Sequence, residues 1–99
     1  MVVVAELTVT PLGSGVSVSS LVAEAVKVLK EAGVKYEVTP MCTVFEAPTA
    51  EEAFKLALKA HEAVFKAGAV RVLTSIKIDE RRDVEHSMKR KIESLRSKL

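Results

Sequence analysis

Apolar and polar positions alternate with period two from Val2 to Thr10, with Val3, Ala5, Leu7 and Val9 on one side and Val2, Val4, Glu6, Thr8 and Thr10 on the other. β-Branched residues in that alternation predict a strand. The period then changes. From Val18 to Ala32 the residues Leu21, Ala25, Val28 and Ala32, flanked by Val22, Val26 and Leu29, recur at three and four, which predicts a helix stopped by Gly33. Lys35 to Thr39 alternates around Tyr36 and Val38, and Cys42 to Glu46 is another strand-like run, so a hairpin or bulged turn is expected across Pro40 and Met41. Pro40 belongs at an edge or a bend, because it cannot donate to a ladder.

A second helix starts at Thr49, an N-cap whose capping-box partner is Glu52, and runs through Ala53, Leu56, Ala57, Ala60, Ala63, Val64 and Ala67 to Gly68. Phe54, Leu58, His61 and Phe65 add a second stripe at spacings of four, three and four. So wide an apolar surface predicts burial on two sides, against the chain's own sheet and against something else. Val70 to Asp79 is the clearest strand, with Val70, Val72, Thr74, Ile76 and Ile78 facing one way and Arg71, Leu73, Ser75, Lys77 and Asp79 the other. After the charged DERRD stretch, Val84, Met88, Ile92, Leu95 and Leu99 recur at helical spacing, a narrowly amphipathic last helix. Asp83 is placed to cap it.

The order β-α-β-β-α-β plus a C-terminal helix predicts an α+β chain with an antiparallel sheet and two helices on one face, the ferredoxin-like arrangement. At 99 residues, a single domain spanning 1–99 is expected. The uncovered sheet face carries Glu6, Thr8 and Thr10 beside Arg71, Leu73, Ser75 and Lys77, neither fully apolar nor fully charged. That mixed face and the amphipathic last helix predict self-association.

Composition narrows the function. No run approaches the roughly 20 apolar residues of a membrane span, and the N-terminus lacks a signal-peptide pattern, so a soluble, cytoplasmic protein with no membrane partner is expected. Cys42 is the only cysteine and the histidines are His61 and His86, with no CxxC or HExxH spacing, so neither a metal site nor a cofactor is expected. The net charge of +2 hides a basic C-terminal stretch, but Glu93 lies within helical reach of Lys89 and Arg90, and no aromatics are interleaved. A solvated face, with no nucleic-acid partner, is the reading. The chain has no Asn and no Gln, which points to a thermophilic source. In PLGSGVSVSS, residues 11–20, Gly13 and Gly15 fit the first two positions of GxGxxG but the third falls on Val18, and no GxxxxGK[ST] follows. A nucleotide loop is excluded on that spacing, leaving a turn into a serine-capped helix.

Three segments, TPLGSGVSVSSLVAEA, KYEVTPMCTVFEA and RVLTSIKIDERRD, resemble the thiamine-binding, YkoF-like family of small ferredoxin-like proteins, and the likeness covers nearly the whole chain. The resemblance implies a homotetramer built as a dimer of dimers. It also implies binding of thiamine or its hydroxymethylpyrimidine moiety at or near a subunit interface, without catalysis and with no catalytic residues. Two family glycines are replaced here, by Cys42 and Ala47, which would narrow the pocket.

The residues weighed for ligand binding are Ser17, Ser19, Thr43, Glu46, Arg71 and Lys77. Glu46 can accept hydrogen bonds from an aminopyrimidine and offset a thiazolium charge; otherwise it is a strand-end glutamate, and its match to the family's glutamate favours the ligand. Thr43 offers a hydroxyl or simply a β-former. Either Ser17 or Ser19 can cap the first helix, while amides there can hold a hydroxyl or phosphate. Arg71 and Lys77 can meet an anion or, more in keeping with the open face, a neighbouring subunit's acid. His61 reads as a packed or interface histidine and Cys42 as a buried free thiol. Two alternatives stay open beside the binding protein: a regulatory module sensing a small effector, and an enzyme acting on a small pyrimidine or anion, for which no nucleophile and base are visible.

Overall fold

A computed structural model of the protein describes residues 1–13 and 18–99. The elements are β1 (Val3–Pro11), α1 (Val18–Ala32), β2 (Tyr36–Val38), β3 (Thr43–Ala47), α2 (Ala50–Lys66), β4 (Val72–Asp79) and α3 (Met88–Arg96). The four strands form one antiparallel sheet in the order β2-β3-β1-β4. This is the ferredoxin-like α+β fold with an added C-terminal helix, the architecture that the pattern of periods predicts.

Alternation decides the two faces. Val3, Ala5, Leu7 and Val9 of β1 are buried, as are Thr43, Phe45 and Ala47 of β3, and Ile76 and Ile78 of β4 pack against the same cluster. Above this face lie Leu21, Ala25, Val28 and Leu29 of α1 and Ala53, Ala57, Ala60 and Val64 of α2. The small alanines let α2 settle close to the sheet. Phe45, fully buried, is the largest core side chain.

Local chemistry sets the ends of the helices. Gly33 takes φ +74°, the left-handed conformation that closes α1 at little steric cost. Thr49 caps α2, its Oγ1 accepting the Glu52 N–H at 3.1 Å. In the β2–β3 turn the Thr39 hydroxyl donates to the Cys42 carbonyl at 2.8 Å and accepts the Cys42 N–H at 3.1 Å, tightening the corner around Pro40.

Four expectations change. Val70 is exposed rather than in the strand's inward row, because the chain leaves Gly68 in a turn and β4 begins only at Val72. The cap of α3 is Ser87, whose Oγ accepts the Arg90 N–H at 3.1 Å, and not Asp83. Arg81 occupies the Asp83 carboxylate through two hydrogen bonds, of 2.9 and 2.7 Å. Ser19 lies within the first turn of α1 rather than before it. Cys42 is half-buried in the β2–β3 turn and not a core thiol. Among the described residues no helix is long and apolar enough to cross a membrane.

Candidate functional site: a groove beneath the C-terminal helix

The site is built on the sheet face that α1 and α2 leave open. Its rows follow from register: Glu46–Val4–Asp79 is one, and Val44–Glu6–Lys77 the next. Farther along β1, Thr8 Oγ1 and Ser75 Oγ share a hydrogen bond of 2.5 Å.

The last helix docks on the Glu46 end of this face through polar contacts. Glu46 Oε2 accepts the Met88 N–H at 2.8 Å, so a carboxylate meets the electropositive first turn of α3. On the other edge, Lys91 donates to Asp79 Oδ2. That hydrogen bond, with the Lys91 charge and the nearby His86, holds the Asp79 carboxyl below its ordinary range. His86 is only 7% exposed, and its Nε2 sits 3.4 Å from Asp79 Oδ2 without hydrogen-bond alignment. The Arg81 fork draws the Asp83 carboxyl down to about 2. No residue of α3 is buried, so these contacts, not a packed interface, position the helix.

Between α3 and the β2–β3 edge runs a groove of about 630 Å³, lined by Glu37, Glu46, Met88 and Ile92, with Lys35 and Arg96 among its charged residues. Its size falls within the usual range of small-molecule sites, roughly 300–1,000 Å³. Met88 and Ile92 supply an apolar wall, and Glu46 supplies an acceptor beside it. Glu46's second oxygen makes no hydrogen bond among the described residues.

The other candidate residues do not converge on this groove within one chain. Thr43 and Glu46 are three residues apart on one strand, so they point to opposite faces. Thr43 is 8% exposed and sits beneath α1, beside Leu7, Val9 and Leu29. Ser19 and Arg71 lie at the other end of the sheet: α1 begins after Pro11, and the Arg71 carbonyl accepts the Leu12 N–H at 2.9 Å. Val4, level with Glu46, is seven residues from Pro11 along β1, roughly 24 Å at strand rise. Lys77 does share the open face with Glu46, across β1 and one row along. Ser17 lies outside the described residues. His61, on α2, packs as expected: its Nδ1 is 2.7 Å from Thr74 Oγ1, and its ring meets Phe65 edge-on at 5.1 Å.

Sequence reasoning missed the Asp79–Lys91–His86 cluster and the Glu46–Met88 contact. The signal for the first was present, since Asp79 ends the outward row of β4. The second joins residues 42 positions apart and has no local signature.

A profile of the thiamine-binding protein family matches residues 5–96. The chain belongs to that family. Its relatives include the UPF0045 protein of Methanothermobacter thermautotrophicus, 46% identical over 98% of this chain and 99% of that one. The UPF0045 protein YqgV of Bacillus subtilis is 39% identical over 97% and 96%. Among solved structures, hypothetical protein MJ1052 of Methanocaldococcus jannaschii superposes with a TM-score of 0.86 at 40% identity, covering 95% of each chain. Membership of the thiamine-binding family supports a small-molecule-binding role, the role to which an acceptor-bearing groove of this size is suited.

Proposed function

We propose that the protein binds thiamine or its hydroxymethylpyrimidine moiety, without catalysis, in the groove between α3 and the open sheet face. The observation that carries this reading is Glu46. Its carboxylate is half-buried beside Met88 and Ile92 and gives one oxygen to the Met88 N–H, leaving the other to accept from a 4-amino group. Charge-assisted hydrogen bonds of this kind are about twice as strong as neutral ones, and they discriminate against rings that lack the amino donor. The apolar wall takes the ring face. Membership of the thiamine-binding protein family supports the same ligand class.

Thr43 and Ser19 take structural roles in this reading, and Lys77 is the remaining candidate near the ligand's end of the open face. The groove is open, and in the homotetramer that the family resemblance implies, a neighbouring subunit closes it.

Titration calorimetry with thiamine and with hydroxymethylpyrimidine tests the reading. Saturable heat is expected from at least one, weakened about tenfold or more by Glu46→Gln, a loss of roughly 1.4 kcal/mol or more. Glutamine keeps an acceptor for the Met88 N–H, so α3 stays docked. No heat from either compound at millimolar concentration overturns the proposal.

A further inference from the structure

The last helix stands between two hollows. On one side is the groove of about 630 Å³, and on the other a cavity of about 390 Å³ bordered by His86, Arg90, Lys91 and Ser94. No residue of α3 is buried, so side-chain packing does not fix where the helix lies on the sheet. Its anchors gather in the three residues at its start. His86 is buried directly before a helix with nothing buried, Ser87 caps that helix through the Arg90 N–H, and Met88 gives its N–H to Glu46.

These three residues lie across the sheet and not along it. Glu46, Val4 and Asp79 form one cross-strand row, so Glu46 on β3 and Asp79 on β4 stand two strand spacings apart, roughly 10 Å. Met88 contacts the first, and His86 Nε2 lies 3.4 Å from Oδ2 of the second. Ser87 between them is extended, at φ −161° and ψ 164°. Two extended residues cover roughly 7 Å, and the His86 side chain reaches the rest. Segment 86–88 therefore crosses β1 level with Val4.

His86 Nε2 is also the one buried side-chain nitrogen or oxygen among the described residues that lacks a hydrogen bond. A buried polar atom with no use is costly, and an apolar side chain of the same size would serve better there. Asp79 is the acceptor beside it. That carboxylate already accepts from Lys91 and keeps lone pairs for a second donor.

We infer that His86 is the positioning residue of the groove: a proton on Nε2 is drawn to the Asp79 carboxylate, which anchors segment 86–88 on β4 and so sets the Met88 amide on Glu46 and the Met88–Ile92 wall beside it. Asp79 then holds α3 from two points, through His86 before the helix and through Lys91 one turn into it. For the ligand this rests on the binding reading above; for the placement of α3 it does not.

Two substitutions separate anchoring from packing. His86→Leu keeps the volume and loses the donor, whereas His86→Gln puts an amide N–H near the position of Nε2. Hydrogen exchange of the α3 amides reads the helix, titration calorimetry with thiamine and hydroxymethylpyrimidine reads the groove, and the core amides of β1 control for folding. In His86→Leu the α3 amides are expected to exchange about tenfold faster and ligand to bind about tenfold more weakly, with the core unchanged. His86→Gln is expected to recover most of both. Were His86 only a packed side chain the order would reverse, because leucine removes a buried polar group and glutamine keeps one. Asp79→Ala should also speed α3 exchange, and adding His86→Leu to it should add little, since the two act through one contact. Wild-type protection of α3 in His86→Leu, or less protection in His86→Gln than in His86→Leu, overturns the proposal. So do additive effects of His86→Leu and Asp79→Ala, or faster α3 exchange with ligand affinity unmoved. No heat from either compound in the wild type overturns the binding reading instead, and the exchange comparison still decides the role of His86.

Discussion

Removing the Glu46 carboxylate tests how the last helix is held. In Glu46→Ala the Met88 N–H loses its acceptor, a contact of 2.8 Å on a part-buried donor. Hydrogen bonds to charged groups contribute about 1.5–3 kcal/mol, and the orphaned amide adds to the cost unless water reaches it. Little else compensates. The helix has nine residues, none of them buried, too short to persist alone in water, where about 12–15 residues are marginal. Its other anchor, Lys91 to Asp79, is an exposed, solvent-screened pair of the kind that adds little. A loss of about 1.5–3 kcal/mol multiplies the open population of the helix roughly 10- to 150-fold. Hydrogen exchange resolved by residue is the assay. The amides of α3 should exchange faster by about that factor in Glu46→Ala, and close to the wild-type rate in Glu46→Gln. Core amides, such as those of Leu7 and Phe45, should keep their protection in both. If the α3 amides are unmoved in Glu46→Ala, or the whole chain loses protection together, the helix is not an independently held element and the argument fails.

Two further outcomes follow from the core and from the carboxylates. Phe45→Ala empties the largest fully buried site and should cost about 3–5 kcal/mol in urea unfolding, a large part of the roughly 5–15 kcal/mol a domain possesses; a loss under about 1.5 kcal/mol would mean that the two helices collapse into the space. Asp79 and Asp83 both titrate below the ordinary 3.8 in the folded chain, Asp83 at about 2, so their stabilisation is present above that ordinary value and is lost as pH falls toward the folded values. Urea midpoints measured from pH 6 down to 2 should therefore fall most steeply below about pH 4, and that part of the slope should flatten in Asp79→Asn/Asp83→Asn.

Most of the fold is legible because period and burial are the same fact seen twice. Val3, Ala5, Leu7 and Val9 alternate because one face of β1 is covered, and Leu21, Ala25 and Val28 recur because one face of α1 covers it. The capping of α2 by Thr49 was equally readable, since it needs only residues three apart. The last helix was not readable in the same way. Asp83 has the chemistry of an N-cap, but Arg81, two residues before it, takes both of its oxygens, and Ser87 caps instead. Thr43 and Glu46 face apart for a reason the alternation itself contains: an odd separation on one strand puts two side chains on opposite faces. Ser19 lies apart from Glu46 within one chain, because β1 separates the start of α1 from Glu46 by most of the sheet.

The division of labour between the two oxygens of Glu46 makes ligand and helix thermodynamically coupled. On the proposed function, a pyrimidine ring that takes the second oxygen also rests on Met88 and Ile92, and so contacts α3 only while the helix is docked. Ligand that binds the docked state alone stabilises it by RT ln(1 + [L]/Kd), about 2.7 kcal/mol at a hundredfold excess over Kd. Exchange of the α3 amides should then slow by about a hundredfold in saturating ligand, while amides at the far end of β1, near Val9, stay as they were. Heat without added protection of α3 would place the ligand somewhere other than this groove. Protection that spread evenly over the chain would mean that the docked helix is part of the global folding unit, and the coupling would then carry no information about where the ligand sits.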